Sequence, residues 1–83
     1  MNAETLRNIR KSRRESQTKF WKRFGVTQSR GSRFELGGEM PSPITILIEL
    51  YLEGVIADRD LQRARQNISR SIMGYGRNHL NLG

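Results

Sequence analysis

Apolar residues return along this chain at intervals of three and four, and Gly, Pro, Ser or Thr separates the runs, a pattern that predicts short amphipathic helices. Leu6 and Ile9, set among basic residues, predict a first helix over residues 3–13. After the polar Arg14-Glu15, Ser16 is placed to cap a second helix over about 17–24, where Phe20, Trp21 and Phe24 gather on one face. Gly25 ends that helix, Gly25-Val26 makes a tight turn, and Thr27 caps a third helix over about 28–36, which Gly37-Gly38 stops. Ser42 is expected to cap a fourth helix with Pro43 at its first position. The i, i+3, i+4 spacing of Ile44, Leu47, Ile48 and Tyr51 favours this central core helix over a buried strand. Leu61, Ala64, Ile68 and Ile72 form the narrow stripe of a fifth helix over about 58–73, closed by Gly74. The Gly- and Asn-rich residues 74–83 are expected to be a flexible tail. The reading is one all-α domain over residues 1–73, without internal repeats.

Size and charge narrow what such a domain can do. With 83 residues the core is modest and leaves little apolar area for walling a deep catalytic cleft. Fifteen Lys and Arg against eight Asp and Glu give a net charge of +7, which favours polyanions such as nucleic acid or an anionic membrane. Residues 1–40 carry ten basic and four acidic side chains, and residues 41–83 carry five and four, so the N-terminal half is expected to face the polyanion. The absence of cysteine excludes a disulfide framework and a thiolate metal site, and the single His79 cannot build a metal cluster. No metal and no cofactor are therefore expected. There is no run of about 18 apolar residues and no apolar signal core, so a cytoplasmic, nucleoid-associated protein is expected. No catalytic residue stands out either. Glu35 and Glu39 have no positioned partner in the sequence, and Glu35 is expected to bond locally near the end of the third helix.

A helix, a three-residue turn and a second helix form a spacing suited to two helices crossing steeply, as in a helix-turn-helix. Side chains near the N-terminus of the second member of such a pair reach base edges in a major groove. Gln28, Ser29 and Arg33 project together there; Gln pairs bidentately with adenine, Arg with guanine, and Ser with either. Arg30 is placed to read a base or grip a phosphate. Lys19 and Ser32 are further phosphate candidates, and Lys11 and Arg14, with Arg10 and Arg13, are expected to supply general attraction to the backbone.

The ordered set Ser16-Gln17, Phe20, Phe24-Gly25-Val26-Thr27-Gln28, Phe34-Glu35, Gly37, Pro41 and Leu47 resembles the Cro and lambda-repressor-like family of regulators, also called the xenobiotic-response-element family. The resemblance spans roughly residues 5–53 and implies a five-helix fold that binds double-stranded DNA, often as a dimer. It places base contacts at Gln28, Ser29 and Arg33, and phosphate contacts at Gln17 and Thr27. Two positions depart from the family: Trp21 stands where a small residue is usual, and Gly31 where Ile or Val normally enters the core. The two changes are expected to compensate, the indole filling the volume left open at Gly31.

Each assignment has a structural alternative. Ser16 and Thr27 cap helices whether or not DNA is present. Gln28, Arg30 and Arg33 are a solvated face in the simplest view, which their placement after the turn disfavours. Phe20, Trp21, Phe24 and Phe34 suit core packing better than stacking on single strands. The function expected is a non-enzymatic, sequence-specific transcriptional regulator, a repressor of phage or mobile-element type acting as a homodimer on an inverted repeat. Leu61, Ala64, Ile68 and Ile72 either form the dimer interface or close the monomer core. The alternative is an antitoxin or anti-repressor-like module in which the fifth helix or the segment from Tyr75 binds another protein. Binding of RNA or a membrane surface rests on charge alone.

Overall fold

Short polar side chains start three of the helices by accepting a backbone N–H that the first turn leaves unpaired. Asn2 accepts from Thr5 N at 2.8 Å, Ser16 from Lys19 N at 3.1 Å and Thr27 from Arg30 N at 3.3 Å. They open α1 (Ala3–Ser12), α2 (Gln17–Lys22) and α3 (Gln28–Glu35). In α4 (Ser42–Leu52) the N-cap is Pro41, without a side-chain bond, so Ser42 is the first helical residue and not the cap expected. The computed structural model describes residues 1–69; α5 begins at residue 58 and is helical to the last of these. The expected helix end near residue 73, Ile72, and the expected tail over 74–83 lie outside the described residues. Among the described residues all regular structure is helical.

α1 to α4 end in one manner. The paired bonds Val26 N to Trp21 O and Gly25 N to Lys22 O are those of a left-handed C-terminal cap, with Gly25 at φ 75°. The same pair of bonds closes α3 around Gly37 and α4 around Gly54. At the end of α1, however, the left-handed position is held by Arg14, at φ 57°. A side chain there costs on the order of 1–2 kcal/mol relative to the right-handed region.

The apolar faces meet in one core: Leu6 from α1, Phe20, Trp21 and Phe24 from α2 and its end, Val26 from the turn, Phe34 from α3, Ile48 and Tyr51 from α4, and Leu61 from α5. The rings form a continuous edge-to-face series, Phe34 to Trp21 to Phe20 to Phe24 to Tyr51, with centroids 5.3–5.5 Å apart. The four phenylalanine and tryptophan rings are thus core and unavailable as stacking platforms. Trp21 lies flat against the backbone of α3 at Gly31, where an added Cβ would overlap the indole Cγ, Cδ1 and Cδ2, the last at 2.7 Å. The large and small departures do compensate each other.

Two buried charges tie the helices together. Glu35 is only 1% exposed, and its bonds are long-range, not local as expected. It takes Arg10 of α1 through Nε (2.8 Å) and Nη2 (2.9 Å), Trp21 Nε1 (2.8 Å) and Gln17 Nε2 (3.2 Å). Burial alone would push this carboxyl up, but the donors from Arg10, Trp21 and Gln17 outweigh it and hold its pKa below the ordinary 4.5. Arg23 is the second centre. It donates to both oxygens of Glu15 (2.8 and 2.7 Å) and to Asp58, and its guanidinium lies over the rings of Phe20 and Tyr51. The Tyr51 hydroxyl accepts from Arg13 and donates to Asp58. The bonds from Arg23 lower the pKa of Glu15 and Asp58.

All three carboxylates therefore have folded-state pKa values below their unfolded ones, so the unfolded chain binds more protons as the medium becomes acid. Their stabilisation is present above the ordinary carboxylate range and is lost as pH falls through the depressed values. The melting temperature is expected to be flat between about pH 8 and 6 and to drop steeply below about pH 5. A thermal melt unchanged at acid pH would show that these ion pairs contribute nothing to the fold.

Candidate nucleic-acid interface

α3 has two unlike sides. Gly31, Phe34 and Glu35 are buried against α1 and α2, while Gln28, Ser29, Arg30 and Arg33 are exposed. Since residues a turn apart share a face, Ser29 and Arg33 stand together at the middle of the open side. Leu36 joins them: it is seven residues beyond Ser29, two turns on, and is 80% exposed. The expectation had Leu36 only as the end of the helix, although its spacing from Ser29 placed it on this face.

Gln28 is not a free side chain. Its Nε2 donates to Gln17 Oε1 at 2.7 Å, and Gln17 Nε2 donates in turn to the buried Glu35 carboxylate. A relay thus runs from the core through the first residue of α2 to the first residue of α3. Ordering a long side chain before it meets a ligand removes part of the entropic cost of binding. Gln17, expected at a phosphate, has this internal role. Arg30 sits to one side, its guanidinium over the Phe34 ring at 5.5 Å.

Thr27 uses its oxygen as a cap, and its hydroxyl proton has no acceptor among the described residues. Lys19 is exposed on α2 and Ser32 is half-buried on α3. Lys11 and Arg14 are exposed near the end of α1. Neither has a hydrogen bond or ion pair from its side chain to a described residue. Arg10 and Arg13, expected to attract phosphates, are instead engaged within the fold: the largely buried Arg10 holds Glu35 and the Glu15 carbonyl, and Arg13, though exposed, holds Tyr51 and Glu15. Arg7 likewise donates to the Glu35 carbonyl at 3.0 Å. Much of the basic excess of the N-terminal half is therefore structural, and counting charge could not separate the two uses.

The stripe on α5 divides. Leu61 is buried in the monomer core, whereas Ala64 and Ile68 are exposed, Ile68 by 59%. Among the described residues no group of three or more His, Asp or Glu side chains could hold a metal ion, and no helix is long and apolar enough to cross a membrane.

Comparison with known proteins fits this geometry. No curated protein matches the chain. A solved structure of the quorum-sensing repressor RsaL in Pseudomonas aeruginosa is 51% identical, with a TM-score of 0.70; the match covers 76% of this chain and 93% of that one. The family model for the RsaL-like helix-turn-helix domain matches residues 7–51, which include α2, the turn and the whole of α3. With more than half of its length matched, the chain belongs to the RsaL-like helix-turn-helix domain family.

Proposed function

We propose that this protein is a sequence-specific, double-stranded DNA-binding transcriptional repressor that lays α3 in the major groove. The observation that carries it is the open side of α3, where Ser29, Arg33 and Leu36 stand together beside a Gln28 already held by Gln17. In this reading Gln28, Ser29 and Arg33 contact base edges, Leu36 lies against a thymine methyl, and Arg30 reaches a base or phosphate at the margin. Gln17, Lys19, Thr27, Ser32, Lys11 and Arg14 contact the backbone. That the similar RsaL protein is a repressor supports the direction of regulation. The likeness to Cro-type regulators, with the exposed Ala64 and Ile68 on α5, supports a homodimer on an inverted repeat that excludes polymerase from a promoter. A phage or mobile-element role rests on the motif resemblance alone, and the quorum-sensing relative offers the better precedent.

Arg33→Ala and Gln28→Ala are each expected to cost about 1–3 kcal/mol of binding and to relax specificity at one base position. Titration against a panel of single-base operator variants reads both effects. A loss uniform across the panel would assign these side chains to phosphates and leave the base-reading role unsupported.

Arg14 gives a second, differently signed expectation. Glycine suits its left-handed backbone, so Arg14→Gly is expected to raise stability by roughly 0.5–1 kcal/mol while weakening DNA binding evenly across sequences. Thermal melts and salt-dependent titrations on the same variant separate the two. Unchanged affinity would remove Arg14 from the DNA.

A further inference from the structure

Beyond the open side of α3, two depressions adjoin and share Lys22 and Arg65. The larger, of about 730 Å³, lies between the end of α2 and α5 and is lined also by Gln62, Gln66 and Ser69. The other, of about 340 Å³, continues past Thr18 and the turn to Thr27 and Gln28. Together they make an open trough that leads from α5 to the first residue of the reading helix. Among the described residues two cations and a set of neutral donors line it, with no carboxylate in either part.

The two cations are presented differently. Arg65 is half-buried, and its Nη1 donates to the carbonyl of Arg23, the residue that caps α2, so its guanidinium is fixed over the trough. Lys22 is exposed and has no hydrogen bond or ion pair from its side chain to a described residue. From Gln62 to Ser69 the helix advances about 10 Å, enough to track more than one phosphate of a strand. A fixed, planar guanidinium beside an unpaired ammonium suits phosphodiester oxygens, which accept from both.

We propose that this trough grips the DNA backbone just outside the bases read by α3, with Lys22 and Arg65 as its two phosphate contacts. The inference rests on the DNA-reading function above. It extends the interface to α5, a helix otherwise available only to the core and to a second copy. The trough opens onto Gln28, so a strand whose bases meet α3 has its flanking phosphates within reach of Lys22. An acidic protein segment would have no reason to be brought to that end of it.

The test uses the full chain and its preferred operator on a duplex with long flanks. Lys22→Gln and Arg65→Gln are each expected to weaken binding about five- to tenfold for all sequences and to lower the salt slope by about 0.9. On a duplex trimmed to the bases read by α3, wild type and variants should converge. Arg59→Gln, an exposed charge of α5 outside the trough, should change the slope less than either. Arg65→Lys, which keeps the charge, should restore most of the slope if Arg65→Gln acts through phosphate and not through the fold. Wild-type affinity and slope for Lys22→Gln on the long duplex would overturn the inference alone. A wild-type chain that prefers no duplex would overturn the DNA-reading function, and this inference with it.

Discussion

Glu35→Ala is expected to destabilise the domain by about 3–5 kcal/mol, because it leaves the guanidinium of Arg10 uncompensated in a largely buried site. Arg10 is 11% exposed and Glu35 1%, so bulk water solvates the unpaired guanidinium poorly. The Trp21 indole N–H and the Gln17 amide lose the same acceptor. For a domain of this size such a loss is a large part of the total stability. Urea denaturation measures it, and a loss below about 1 kcal/mol would mean that the pairing offsets little more than its own desolvation. A second consequence follows along the relay. With Glu35 gone, Gln17 is released and no longer orders Gln28, so discrimination at the base proposed for Gln28 should fall even at temperatures where the variant is folded. Glu35→Gln, which keeps an acceptor for Trp21 and Arg10, should recover part of both.

Gly31→Ala is the sharper of the two tests because two physical effects predict opposite signs. In an exposed helix, Gly to Ala gains about 1 kcal/mol through backbone entropy. Here the added methyl meets the indole of Trp21, which is 0% exposed and hemmed by Phe20 and Phe34. Overpacking of this kind costs about 1–3 kcal/mol, so the alanine variant should melt lower, and Gly31→Val lower still, by on the order of 15 °C for a loss near 3 kcal/mol. An alanine variant that melts higher than wild type would show that α3 can move off Trp21 at little cost. Because any retreat of α3 also moves Gln28 and Arg33, the same variants should bind DNA more weakly.

Most helix starts and stops were legible because they depend on neighbours in sequence; the start of α4, where Pro41 and not Ser42 is the cap, was not. Ser16 and Thr27 cap, Gly25 and Gly37 turn, and the aromatic spacing on α2 gives the core face. The contact of Trp21 with Gly31 was legible too, as a pair of opposite size changes. What escaped was long-range and polar. Nothing in the local pattern distinguishes Arg10 and Arg13, whose side chains pair with other parts of the fold, from Lys11 and Arg14, whose side chains have no hydrogen bond or ion pair to a described residue. The buried Arg23, with Glu15, Asp58 and Tyr51, joins segments far apart in sequence that only the folded backbone brings together. Arg14 in a left-handed conformation was hidden for a related reason, since the position is marked by the three parallel helix ends that use glycine and not by its own residue type. On α5 the regular stripe concealed a division, because Leu61 falls over the core and Ile68 beyond its edge.

The central claim is that α3 reads bases. Selection of bound duplexes from a random pool by the full chain tests it most directly. Enrichment of an inverted repeat whose half-sites are about one helical turn apart is the expected result. Tight, salt-sensitive binding with no enriched sequence would contradict it, leaving an attraction to phosphate without a reader.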